Sequence, residues 1–240
     1  MPAAFGLDFP ADWDRIALHP MEERDISSQG LMGLAPERGP ALRRILGFAC
    51  QGGNVKAQAQ GLIERFKGLR GLADASPGEL CSVPGVSAGA TVFIRLLKEA
   101  SRAYLKERVI GRGAAASFDG LLDYLTMELS GERVEKFLAV YLSNKGDVLS
   151  VEILHEGTIS QTIVYPRKAV EGAFRTGAKG FIFVHNHPSG DPTPSAIDKE
   201  LAVQLDKTAA SAGLDVFDHL IVGRCAHYSL RQAGFISASR

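Results

Sequence analysis

The chain has 240 residues, with 27 Lys and Arg against 27 Asp and Glu, and 45% of its residues are hydrophobic. That length accommodates one large or two small domains. The zero formal net charge removes any global electrostatic argument for nucleic acid or a membrane surface. No run approaches the roughly 18 apolar residues a membrane helix needs. Met1 to Pro20, with Asp8, Asp12, Asp14 and Arg15, lacks a secretory pattern. Cys50, Cys81 and Cys225 are odd in number and form no CxxC pair, which fits reduced thiols in a cytoplasmic protein better than a disulfide framework.

Residues 1–36 read as a polar lead-in with little periodicity, expected to be partly disordered. A helical domain is expected over 37–110. Its first helix, Ala41 to Ala49, is stopped by Gly52-Gly53-Asn54. The second, Val55 to Lys67, carries Ala57, Leu62, Ile63 and Phe66 at helical spacing and is closed by Gly68 and Gly71. Ser76 caps a third, with Pro77 in its first position. Val83-Pro84-Gly85-Val86-Ser87 then turns tightly into a long helix, Ala88 to Glu107. Helix, Pro-Gly-apolar-small turn and helix resembles a helix-hairpin-helix unit. The resemblance implies DNA-phosphate contacts at Gly85 and Ser87 through the turn and the following helix N-terminus. Two departures weaken it: Ser87 replaces the second turn glycine, and Ala88, Gly89 and Ala90 supply no basic residue. An αα-hairpin that only packs is the competing reading.

Lys106 to Ala116, with Gly111, Gly113 and a run of alanines, predicts a domain boundary, and a second domain is expected over 117–240. It opens with a helix from Ser117 to Leu129. Strands Phe137–Leu142 and Val148–Leu154 flank Asn144-Lys145-Gly146-Asp147, a hairpin signal. Pro166 starts a helix to about Thr176, with Ala169, Val170, Ala173 and Phe174 facing in. Gly180 to Val184 is a continuous apolar run, the pattern of a strand buried on both faces. A helix over 195–212, a strand Val216–Val222 and an antiparallel neighbour at Tyr228–Leu230 complete an α/β sandwich with a mixed sheet.

The buried strand runs into His185-Asn186-His187, a Pro/Gly-rich loop, and Ser195-Ala196-Ile197-Asp198. Alternation puts His185 and His187 on one side of the sheet, and Asp198 falls in the first helical turn. Two imidazoles and a carboxylate suit a catalytic zinc, which takes three protein ligands and leaves the fourth position to water. The water's pKa would drop to roughly 7, giving a nucleophile at neutral pH. Ser195 does not look like a ligand and is better placed to hydrogen-bond a developing oxyanion. Ser195 to Asp198 also reads as a helix cap, so capping and metal binding compete for Asp198. Asn186 faces away from the histidines and is expected to fix the loop. Asp191, Ser189 and Thr193 read as turn residues, and His219 as a core histidine rather than a partner of the metal ligands. His155, His227 and His19 show no partner pattern.

The joint pattern His-x-His-x7-Ser-x-x-Asp matches the JAMM (MPN+) metallopeptidase signature, and HNHPSGDPTPS resembles the RadC branch of that family. GLRGLADASPGEL, VYPRKAV and FDHLIVG are similar to RadC segments as well. The pattern is not an HNH nuclease site. The resemblance implies a JAMM/MPN-like, cytidine-deaminase-like α/β fold behind a small all-α helix-hairpin-helix-like domain. It also implies a glutamate base before the first strand. Glu132, Glu135, Glu152 and Glu156 are candidates, and Glu135 stands where the family keeps it. The function implied is zinc-dependent cleavage of peptide or isopeptide bonds in a protein or peptide substrate. HExxH and the deaminase His-x-Glu pattern are both absent. The alternative is a DNA-associated repair or recombination protein whose metal domain is structural or acts on a partner protein.

Overall fold

The computed structural model describes Leu46 and residues 55–110, 118–157, 166–224 and 226–236. The expected lead-in over 1–36, the helix over 41–49 apart from Leu46, its Gly52-Gly53-Asn54 stop and residues 111–116 of the expected boundary lie outside the described residues, while Lys106 to Val109 of that boundary continue the long helix. Two compact units divide between Ala103 and Tyr104, inside one helix. No helix among the described residues is long and apolar enough to cross a membrane.

The first unit is helical, built from α1 (Val55–Phe66), α2 (Leu69–Asp74), α3 (Pro77–Cys81) and the start of α4 (Ala88–Val109). Leu46, Leu62, Leu72, Leu80, Ala90 and Ile94 form its core. A capping box opens α3: Ser76 N donates to Glu79 Oε2 at 2.8 Å while Glu79 N donates to Ser76 Oγ. The sequence expectation misses α2, because it takes Gly68 and Gly71 together as the end of α1. Only Lys67 and Gly68, with φ of 61° and 131°, break the chain there. Gly71 sits inside α2 because a Cβ at that position would collide with the Phe66 carbonyl. The glycine marks a close approach, not a stop.

The second unit continues from Tyr104. It contains α5 (Phe118–Leu129), β1 (Lys136–Leu142), β2 (Val148–Glu156), α6 (Pro166–Thr176), β3 (Gly180–Asn186), α7 (Ala196–Ser211), β4 (Asp215–Val222) and β5 (His227–Ser229). The strands lie in the order β2-β1-β3-β4-β5. β1 runs antiparallel to both β2 and β3, and β5 antiparallel to β4. The one parallel pair, β3 with β4, is joined through α7, the crossover such a pair requires. The mixed sheet is the one the sequence pattern predicts.

Every residue of β3 is buried, and its alternation divides two cores. Phe181 and Phe183 face α6 and α7, packing with Ala169, Ala173, Leu201 and Leu205. Ile182 and Val184 face α5, packing with Leu121, Leu125 and Leu129. Each such side chain contributes about 1.5–3 kcal/mol by burial, so strand position is over-determined well before the site is reached.

One inward assignment is wrong. Phe174 is 66% exposed, whereas Ala169, Gly172 and Ala173 form the buried stripe of α6. Tyr141 packs directly against Gly172, so the helix sits too close to the sheet for a large side chain. The next position, about 100° further round, points outward. Phe174→Ser is expected to change stability by no more than about 0.5 kcal/mol. Phe183→Ala is expected to cost about 3–5 kcal/mol, both read from urea unfolding midpoints.

Candidate metal centre

β3 carries the Phe181, Phe183 alternation one step further and places His185 on the same face. His185 is fully buried. Its ring stacks on Phe137 of the paired strand, with centroids 5.9 Å apart and planes 16° off parallel. His187 continues the alternation just past the strand end. From above, the first turn of α7 delivers Asp198, which is also buried. The possible ligand atoms of His185, His187 and Asp198 all lie within 4.8 Å of one another. Among the described residues, this is the group able to hold a metal ion.

The outer contacts of each side chain fix which atom faces the centre. His187 Nδ1 lies 2.7 Å from the Asp191 carbonyl oxygen, which can only accept, so Nδ1 carries a proton and Nε2 faces inward. His185 Nδ1 lies 2.9 Å from His219 Nε2, leaving His185 Nε2 inward as well. The two inward nitrogens are 3.2 Å apart. Asp198 Oδ1 is 3.2 Å from His185 Nε2, and Oδ2 is 3.5 Å from His187 Nε2. Two imidazole nitrogens and a carboxylate thus converge at one point. Such a set is able to hold a cation.

Asp198 does two jobs. Its Oδ2 accepts from Ser195 N at 2.7 Å and Ser195 Oγ at 2.6 Å, while Asp198 N donates back to Ser195 Oγ. That capping box starts α7. Oδ1 has no part in it and stays directed at His185. The cap therefore occupies Oδ2 and leaves Oδ1 available to a metal ion.

His219 is a partner of the site, contrary to the expectation of a core histidine. Strict alternation from Val216 would turn it to the other face. The β3–β4 ladder slips between Phe181 and Ile182, pairing them with Val216 and Asp218 and leaving Phe217 extra. Past that irregularity His219 falls on the Phe183 side, with its ring 5.0 Å from His185 and edge-on to Phe137 at 5.3 Å. Bulges re-aim side chains in just this way. Its Nδ1 is buried with no hydrogen-bond partner among the described residues. Asp218 anchors the turn of chain beyond β5, accepting from Ser229 Oγ at 2.6 Å, His219 N at 2.6 Å and Arg231 N at 3.1 Å.

The loop after β3 is seated on the end of β4. His187 N donates to Val222 O at 3.1 Å, and Arg224 N to Gly190 O at 2.8 Å. Gly223 permits this approach: a Cβ there would stand 2.5 Å from Gly190 O and 2.8 Å from Pro192 Cδ. Asp191 Oδ1 accepts from Thr193 N and Oγ1 at 2.9 and 2.7 Å, a turn role as expected. The carbonyl of Asp191, which orients His187, is invisible to a reading of side-chain types.

Electrostatics follow the geometry. Burial is the largest influence on His185 and lowers its pKa; Asp198 opposes it. For His187 the hydrogen bond to Asp198 dominates and raises the pKa. Burial of Asp198 acts to raise its value. The hydrogen bonds from His185, His187 and Ser195 together outweigh that and hold the carboxyl well below the usual carboxylate range. His219 is pushed well down by burial and is neutral.

The four glutamates separate. Glu132 and Glu156 both pair with Lys136, at 3.0 and 3.6 Å, and Glu152 binds Arg175 at 2.6 Å. Glu135 alone of the four is among the charges that raise the proton affinity of both His185 and His187. Contrary to the expectation that it fixes the loop, Asn186 holds the start of β1: Oδ1 accepts from Lys136 N at 2.8 Å and Nδ2 donates to Val134 O at 3.1 Å. In the helical unit Gly85 has φ of 80°, and a Cβ there would meet the Gln58 side chain at 2.7 Å. Ser87 Oγ accepts from Ala90 N at 3.1 Å, at the start of α4.

Residues 115–235 match the family described as the RadC-like JAB domain. The chain belongs to the RadC family. A UPF0758 protein of Nitrosospira multiformis is 36% identical over 178 residues, 74% of this chain and 80% of the relative. One from Pseudoalteromonas translucida is 35% identical over 185 residues, 77% of this chain and 83% of the relative. A third, from Ruegeria pomeroyi, is 32% identical over 76% of this chain and 82% of its own length. The RadC-like match encloses β1 to β5 and every residue of the candidate centre, so the JAMM-like domain read from the histidine motif is present.

His219→Phe keeps an aromatic ring but removes the acceptor. It is expected to weaken divalent-metal binding about 10–100-fold with the fold retained, measured by competition with a chromogenic chelator. Metal binding requires neutral imidazoles, and His187 holds its proton more tightly than an ordinary histidine. Affinity is therefore expected to fall as pH drops through the raised His187 value, with a proton released on binding near that pH. Calorimetry in two buffers of different ionisation enthalpy checks the proton count.

Proposed function

We propose that this RadC-family chain is a zinc-dependent hydrolase of amide bonds, acting on a peptide or isopeptide linkage. The observation that carries the reading is the convergence of two inward imidazole nitrogens and one carboxylate oxygen, all within 4.8 Å of one another. Two histidines and a carboxylate form the donor set of catalytic zinc, whereas magnesium and calcium favour all-oxygen shells. His185 Nε2, His187 Nε2 and Asp198 Oδ1 would hold it. Zinc there supplies a Lewis acid that acidifies water and polarises a carbonyl oxygen.

The chain's own residues supply the proton movements. A carboxylate oxygen of Glu135 takes a proton from the attacking water as the O–C bond forms. It then delivers that proton to the amine nitrogen as the C–N bond breaks. Ser195 is assigned to the developing oxyanion. For that, its hydroxyl turns off Asp198 Oδ2, where it now donates at 2.6 Å; Ser195 N remains as a donor to the same oxygen. The Asp191 carbonyl and His219 keep the imidazoles from rotating while these protons move.

The test is hydrolysis of a diverse peptide library by the zinc-loaded protein, read by mass spectrometry. Glu135→Gln keeps size and polarity but cannot take the proton. Cleavage by the wild type that falls about 10²–10⁴-fold in Glu135→Gln is the expected result. Zinc-loaded protein that cleaves no library peptide or isopeptide-linked conjugate, or a Glu135→Gln variant as active as wild type, would contradict the reading.

A further inference from the structure

The backbone that carries Glu135 is held by hydrogen bonds on two sides. On the β2 side, Gly157 N donates to Glu135 O at 2.8 Å. On the β3 side the bonds come from a side chain. The β1–β3 ladder ends at Phe137 paired with His185, because β3 then turns toward β4, where His187 N bonds Val222 O. The side chain of Asn186 fills that gap. Its carboxamide accepts from Lys136 N at 2.8 Å and donates to Val134 O at 3.1 Å, the pair of groups that flank Glu135. An amide has one acceptor and one donor in the same relation as a strand backbone, so it extends the ladder where the strand itself has left. Asn186 is 3% exposed, and breaking either bond leaves a buried polar group unmatched.

We infer that Asn186 is a positioning residue for Glu135, tying the base to the same strand turn that presents His185 and His187. Its two neighbours face the metal centre while its own side chain, on the opposite face, reaches the segment of the base. One residue of the motif thereby fixes the spacing between base and ligands. An aliphatic side chain at position 186 would supply neither of the bonds to the groups that flank Glu135. The inference rests on the reading of Glu135 as general base.

Cobalt(II), a spectroscopic stand-in for zinc, provides the test. Wild type, Glu135→Gln, Asn186→Ala and the double variant are loaded with cobalt, and the pH midpoint of the visible absorption change is recorded. Amide exchange of Lys136 is measured on the metal-free chains. Asn186→Ala is expected to bind cobalt with wild-type stoichiometry, to exchange the Lys136 amide about tenfold faster, and to move the midpoint as Glu135→Gln does. The double variant is expected to move it no further. A midpoint moved by Glu135→Gln but not by Asn186→Ala would overturn the inference alone. An unmoved midpoint in Glu135→Gln, or wild type that takes up no cobalt, would overturn the base reading beneath it. Loss of cobalt in Asn186→Ala would make the residue a support of the ligands instead, which also overturns the inference. If the alanine variant does not fold, Asn186→Asp carries the same comparison, since it keeps the acceptor for Lys136 N and removes the donor to Val134 O.

Discussion

The 2.9 Å hydrogen bond between His185 Nδ1 and His219 Nε2 governs which imidazole edge faces the centre. It is formed in a fully buried, aromatic setting between Phe137 and Phe183, where no water competes for it. Both rings are uncharged there because burial lowers their pKa. A ring held this way cannot flip without losing the bond and opening a hole beside two phenylalanines. The usual outer partner of such a histidine is a carboxylate or a carbonyl. A neutral imidazole in that place adds no negative charge, so among the three clustered side chains Asp198 is the anionic one.

Asp198 resolves a conflict that the sequence leaves open. A carboxylate at the third position of a helix is a capping group, and a carboxylate beside two histidines is a ligand. Here Oδ2 satisfies Ser195 while Oδ1 addresses His185. The cap is what gives the ligand its precision: it freezes the side chain against the start of α7, itself packed on the sheet through Leu201 and Leu205. The loop from His187 to Ser195 is pinned separately on the end of β4. Strand, loop and helix each fix one donor, and their errors do not accumulate.

Much of this was legible because it depends on local rules. The apolar run at 180–184 predicts a doubly buried strand, its period puts His185 and His187 on one side, and Ser195 with Asp198 predicts the helix start. The rest depends on distances in sequence that local rules cannot span. His219 joins the site only because Phe217 is bulged out of register with β3, and nothing in the string Asp215–Val222 announces a bulge. Asn186 finds its partners fifty residues earlier. Phe174 is expelled by the close seat of Gly172 on Tyr141, and α2 was missed because a packing glycine resembles a terminating one. Glu135 could be ranked above three other glutamates only by likeness to a family. The structure separates them by their influence on the centre: of the four, only Glu135 raises the proton affinity of both His185 and His187.

The central claim is that His185, His187 and Asp198 together bind one metal ion, and zinc content tests it most directly. Purified wild-type protein, His187→Ala and Asp198→Ala are compared by elemental analysis after exposure to zinc and removal of the excess. About one zinc per chain in wild type, lost in both variants while their far-UV circular dichroism stays folded, is the result this account predicts. Wild-type protein that holds no zinc and takes none up, or variants that retain it, would contradict the account and reduce Ser195 and Asp198 to a helix cap above a buried histidine pair.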